Sequence, residues 1–260
     1  MKNRFLLVFF MWWGGLYSQN PTISQKSNTE REGAALHKVL IIPFEPRLYM
    51  SEIDRNINAE TKLSGREIKY KFRDGLNEQV YKAFKAAKYN ALDLMEDTLR
   101  YKKDLETIYQ YLSYEYLKVP DPQNYIAPKK EKEEKKIDKG QVNVETNSEN
   151  RFMDARLSNP KVLTSLQNKY RCDLFVFVNQ LDLKAGGSKD PLDLGPENPN
   201  RRIIFHYTVF TAEGKELNSG TIEEEFDPAL NIPKKIVDKH FMRISTTLVQ
   251  RVNKALGIPK

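Results

Sequence analysis

The 260-residue chain has one cysteine, three histidines and no long apolar run beyond its amino terminus. Each shortage excludes something. A single thiol cannot close an internal disulfide, and Cys172 lies in RCDLFVFVNQL, whose apolar neighbours mark a buried strand and make the thiol part of the core. An apolar setting raises a thiol pKa, so Cys172 is a poor nucleophile, and no serine sits in a GxSxG elbow. His37, His206 and His240 are isolated, without HExxH or a second histidine at metal-ligand spacing. Each is expected to be a surface or hydrogen-bonded histidine. The strand signal KVLIIPFE at 38–45 runs into PRLYM without the glycines that let a backbone cradle phosphates, which excludes a dinucleotide fingerprint and a P-loop. Asp190, Asp193 and Glu197 share a loop, but their spacing matches no calcium-binding loop, and a polar surface loop is the expectation. No catalytic, metal-ligating or cofactor-binding residue is assigned.

What is present begins with an address. Lys2 and Arg4 precede FLLVFFMWWGGLY, and the small Ser18 is followed by polar QNPTISQKSNTE, the layout of a secretory signal peptide. This predicts removal of residues 1–18, a flexible leader over 19–36, and an exported chain, periplasmic or associated with the periplasmic side of the outer membrane. A retained membrane anchor is the alternative, but the run is shorter than the roughly 20 apolar residues of a spanning helix, and Gly14-Gly15 interrupts it. No later segment is apolar enough to span, so no transmembrane segment is expected after signal removal. Loss of Lys2 and Arg4 lowers the formal net charge from +7 to +5. With no zinc knuckle, aromatic RNA-binding strand or long basic stripe, nucleic acid is not the expected partner of this basic exported chain. An envelope protein, or an anionic glycan or lipid surface, fits better.

The strand at 38–45 ends at Pro43 and Pro46. SGRE at 64–67 has capping-box spacing and leads a helix with Phe72, Leu76, Val80, Phe84 and Ala87 on one face. A short strand is predicted near 90–94. Asp93 with Glu96 then caps a second helix carrying Leu99, Leu105, Ile108, Leu112 and Tyr116. Tyr109, Tyr111, Tyr114 and Tyr116 cannot all face one way on such a helix. From 119 the composition turns to proline and dense mixed charge, which predicts a disordered or mobile insertion over 119–158. Asn159 and Pro160 open a short helix through Leu163, Leu166 and Tyr170. The run 172–183 is apolar on both faces, as a covered central strand requires. Residues 203–211 and 217–226 form a hairpin around AEGKE, with Glu223, Glu224 and Glu225 as charges that discourage pairing with another chain's edge. Asn231 and Pro233 start a last helix with Val237, Phe241, Ile244, Leu248 and Val252, which Gly257 and Pro259 terminate.

This order predicts one α/β (α+β) domain in two parts, 37–118 and 159–257, with helices packed on a mixed sheet and an antiparallel hairpin in the carboxyl-terminal part. KVLIIPFE before an early helix, LQNKYRCDLFVFVNQLDL after a helix, and the hairpin IIFHYTVFTAEGKELNSGTIEE resemble the TolB amino-terminal domain and the periplasmic α/β domains of CsgG and LpoB. Ile42, Pro43 and Phe44 match the apolar-Pro-Phe end of the family's first strand, and Glu213-Gly214-Lys215 its hairpin turn. The resemblance implies a periplasmic binding or assembly module. The chain departs from it in lacking a cysteine after the signal, a propeller, and the apolar membrane hairpins of a CsgG-like pore. Two functions follow as expectations. The first is a non-enzymatic envelope protein that binds a partner through its sheet edge or its insertion. The second is an envelope glycan hydrolase, which would gather Glu45, Asp182 and Asp190 in a deep pocket as acid and base. Nothing in the sequence bears on oligomeric state.

Overall fold

Eleven consecutive residues, Leu174–Lys184, form the strand on which the fold is built, and all but the last are buried. A computed structural model describes residues 37–129, 136–138, 141–143, 151–186 and 200–259. The expected signal segment and leader, the loop bearing Asp190, Asp193 and Glu197, and most of 130–150 lie outside the described residues. The elements are β1 (Lys38–Ile42), β2 (Tyr49–Ser51), α1 (Asp54–Thr61), α2 (Gly65–Ala86), β3 (Asn90–Asp93), α3 (Thr98–Tyr111), β4 (Leu112–Lys118), β5 (Lys136–Asp138), β6 (Gln141–Asn143), β7 (Arg151–Leu157), α4 (Lys161–Tyr170), β8 (Leu174–Lys184), β9 (Arg201–Thr211), β10 (Glu216–Phe226), α5 (Pro233–Ile236) and α6 (Met242–Leu256). A π-helical turn, Val237–Phe241, joins the last two.

The main sheet runs β10-β9-β8-β1-β3, with β2 continuing beside β8. β1 is parallel to β3 and β8, whereas β9 is antiparallel to both of its neighbours, β8 and β10, so the mixed sheet expected from the sequence is present. Its side chains alternate between two cores. Val39, Ile41, Val176 and Phe205 face α1, α2 and the carboxyl-terminal helices, and Leu40, Ile42, Phe175 and Phe177 face α3 and α4. α2 starts in the predicted capping box, with Ser64 and Glu67 satisfying each other's backbone donors, and buries Phe72, Leu76, Val80 and Phe84 completely. Gly75 allows α2 to meet the π-helical turn closely. A Cβ there would lie 2.7 Å from both Val237 methyls.

Two expectations are corrected. The second helix is capped by Asp97, whose side chain accepts from the Arg100 N–H, and it ends at Tyr111; Asp93 instead closes β3 with a buried carboxyl. Leu112 and Tyr116, assigned to that helix, belong to β4. Residues 151–157, assigned to the insertion, form β7, antiparallel to β4 from Leu112↔Leu157 to Lys118↔Arg151. The alternation of tyrosines and polar residues after 111 suits a pleated strand, but it becomes one only because a partner about forty residues away satisfies its backbone. Within the same insertion, β5 and β6 pair antiparallel.

Candidate functional site

The β4–β7 ribbon leaves one edge of β7 facing the main sheet, and side chains there take the place of a neighbouring strand. The Met153 N–H donates to His206 Nδ1 (3.0 Å) and the Ala155 N–H to Thr208 Oγ1 (3.1 Å). Asn179 Nδ2 donates to the Met153 carbonyl and to Thr208 Oγ1, both at 2.8 Å, and the Thr208 hydroxyl donates to Asp154 Oδ1 at 2.6 Å. Asp154, Asn179 and Thr208 are fully buried. An unmet donor or acceptor at such a place costs about 1–3 kcal/mol, so these polar residues on an otherwise apolar sheet face are the means of docking the ribbon. Because His206 Nδ1 accepts a backbone N–H, its ring proton sits on Nε2, 3.5 Å from Asp182 Oδ2.

Next to this seam, Arg156 gathers three carboxylates. Its guanidinium lies 2.6 Å from Asp154 Oδ2 in an ion pair outside hydrogen-bond geometry, donates to Glu216 Oε2 at 2.8 Å, and is 3.7 Å from Glu115. Glu216 also accepts from the Tyr125 hydroxyl at 2.6 Å and from Ser219 at 2.7 Å. Burial, followed by the Glu216 charge, pushes the Asp154 carboxyl up to about 7, against the opposing pull of Thr208 and Arg156. The knot fastens β4, β7, β9 and β10 to one another.

Open α/β sheets commonly bind ligands at the carboxyl ends of parallel strands where helix placement switches sides. Here that switch falls at β1, and the chain fills the crevice itself. Arg73 donates to the Phe44 carbonyl (2.7 Å) and to the Tyr109 hydroxyl (3.3 Å), and Tyr109 donates to the Pro43 carbonyl (2.6 Å). Asn77 donates to Asp93, whose carboxyl burial raises to about 6.

Among the described residues, an open groove of about 420 Å³ lies where residues 119–128 cross the edge strand β10. Tyr125, Lys215, Leu217, Arg251 and Lys254 line it together with Glu216. Pro120 lies against Gly220, whose φ of +141° a side chain would disfavour. The crossing segment is tied down by Tyr125 to Glu216, by the Lys254 ammonium to the Gln123 carbonyl (2.6 Å), and by Arg156 to the Pro128 carbonyl (3.4 Å). Glu216 is already matched by Arg156, so the groove is cationic. The helical layer beside it, residues 54–88 and 233–254, has fifteen Lys and Arg against six Asp and Glu, an excess of nine in a chain whose net charge is +7.

The residues weighed in the sequence scatter. His37 is bound to Asp173, and His240 Nδ1 lies 3.0 Å from Glu224 Oε1, which Arg243 also contacts. Glu45 accepts from Arg47, and Asp182 accepts from Gln180. These two belong to separate hydrogen-bond groups, and Asp190 lies outside the described residues. Cys172 is buried, which pushes its thiol up to about 11. The Glu223–Glu225 charges lie on the edge strand, as read from the sequence. The groove went unread because its walls come from three distant segments; a lone Tyr125 in a polar stretch and two cations off the apolar stripe of α6 were the available signals. No helix among the described residues is long and apolar enough to cross a membrane. No family model and no curated protein matches the chain.

Proposed function

We propose that the chain is an exported, non-enzymatic binding or assembly module of the cell envelope, as its resemblance to TolB-, CsgG- and LpoB-like domains implies, and that it holds its partner in the groove beside β10. One observation carries this reading: Lys215 and Lys254 face an open depression, whereas the buried carboxyls of Asp93 and Asp154 are closed in by their own hydrogen-bond partners. A glycan hydrolase would need two carboxyls roughly 5–9 Å apart in an accessible cleft. The open groove has one carboxylate in its lining, Glu216, and Arg156 neutralises it.

The test is in-cell photocrosslinking with the full chain. A photoreactive residue replaces Ile126, 78% exposed between two groove residues, or Leu99, 88% exposed on α3. A discrete adduct from position 126 and none from 99, on a chain whose amino terminus begins near Gln19, is the expected result. An envelope form that retains Met1, or equal labelling from both positions, overturns the reading.

A further inference from the structure

Resting on the reading of the groove as the partner site, we infer that its occupant is an extended acidic polypeptide segment, held by side chains and not by strand addition to β10. The charge is complementary. Lys215, Arg251 and Lys254 converge on the groove, and its single carboxylate, Glu216, is already held by Arg156, Tyr125 and Ser219. Lys254 donates to one carbonyl and Lys215 extends into solvent, so both ammonium groups have donors to spare. Between these cations, Tyr125 and Leu217 provide apolar wall, which suits a small apolar side chain flanked by acidic ones.

Strand addition is blocked beside the groove, where residues 119–128 cover the first half of β10 and Arg251 Nη1 takes the Thr221 carbonyl at 2.7 Å. A lipid bilayer is the other anionic candidate, but a flat surface cannot reach the floor of a concave groove. It would meet the lysines and arginines on the outside of α2, α5 and α6 instead. A flexible chain carrying carboxylates at intervals reaches the floor and both lysines together.

The experiment uses the full mature chain and a fluorescein-labelled peptide of repeating Glu-Ala-Glu-Leu units, with affinity read by anisotropy. Lys215→Gln with Lys254→Gln is compared with a control of equal charge loss on the helical layer, Lys235→Gln with Lys239→Gln. The glutamine at 254 keeps a donor for the Gln123 carbonyl, and melting curves check that both doubles fold. The groove double is expected to bind about tenfold more weakly, as loss of two surface ion pairs allows, and the control to bind like wild type. Equal weakening of both doubles would show a long-range field and overturn the proposal. So would flotation of wild type with phosphatidylglycerol vesicles and no binding of the peptide. If the peptide fails while position 126 still crosslinks a partner, this inference falls and the groove remains the partner site.

Discussion

Asp154→Asn tests the buried knot most directly. In the folded chain the Asp154 carboxyl is raised to about 7 from an ordinary 3.8, so between these values the native state holds a proton that the unfolded state has released. The stability this group contributes is therefore complete below about pH 4, declines as pH rises, and is gone above about pH 7. At roughly 1.4 kcal/mol per pKa unit the difference has a ceiling of about 4 kcal/mol, and half-exposed Arg156 brings the expected effect down to about 1–2 kcal/mol. Asparagine keeps an acceptor for the Thr208 hydroxyl and never ionises. The other groups facing the site are Glu216 on β10, Glu115 on β4, Arg156 on β7, and Tyr125 from the crossing segment; His206 on β9 lies farther along the seam. Urea unfolding of both proteins at pH 4, 5.5 and 8 reads the outcome. Asp154→Asn should lie closest to wild type at pH 4 and exceed it increasingly at pH 5.5 and pH 8. A difference that stays constant from pH 4 to pH 8 would mean that the fold does not raise the Asp154 carboxyl and that the knot is an ordinary ion pair.

Phe177→Asp places a charge on β8 against Phe210, at a ring-centroid spacing of 5.6 Å, and should give insoluble or degraded protein; a wild-type melting curve would refute the central position of that strand. Gly75→Ala would gain helix propensity in open space, but its Cβ meets Val237, so it should cost about 1–3 kcal/mol and recover when Val237→Ala is added. Finding that Gly75→Ala alone raises the urea midpoint would contradict the packing. Replacing residues 130–149 by a short Gly/Ser linker should leave the melting temperature nearly unchanged, because KKEKEEKK and the residues after it offer little apolar area and loop-closure entropy varies slowly with length. Global unfolding on that deletion would refute the reading.

Features within reach of local chemistry were legible in the sequence. Ser64 and Glu67 are three residues apart, so the start of α2 could be read directly, and four apolar side chains at helical spacing fixed its buried face. The unbroken apolar run of β8 announced cover on both sides, and AEGKE located the hairpin. β4 and β7 were beyond such reading. Taken singly, one looks like the end of a helix and the other like the tail of a charged insertion, and each becomes a strand only by pairing with the other across about forty residues. The same long-range pairing gives His206, Thr208 and Asn179 their purpose, since only the arrival of the free edge of β7 turns polar interruptions of a sheet face into required hydrogen-bond partners. The groove depends on tertiary structure in the same way. Composition supplied the positive charge, but packing brought residues 125, 215 and 254 to one depression while placing the competing carboxylate against Arg156. Periodicity and capping act over a few residues and leave a trace in sequence; edge satisfaction and charge pairing act through space and do not.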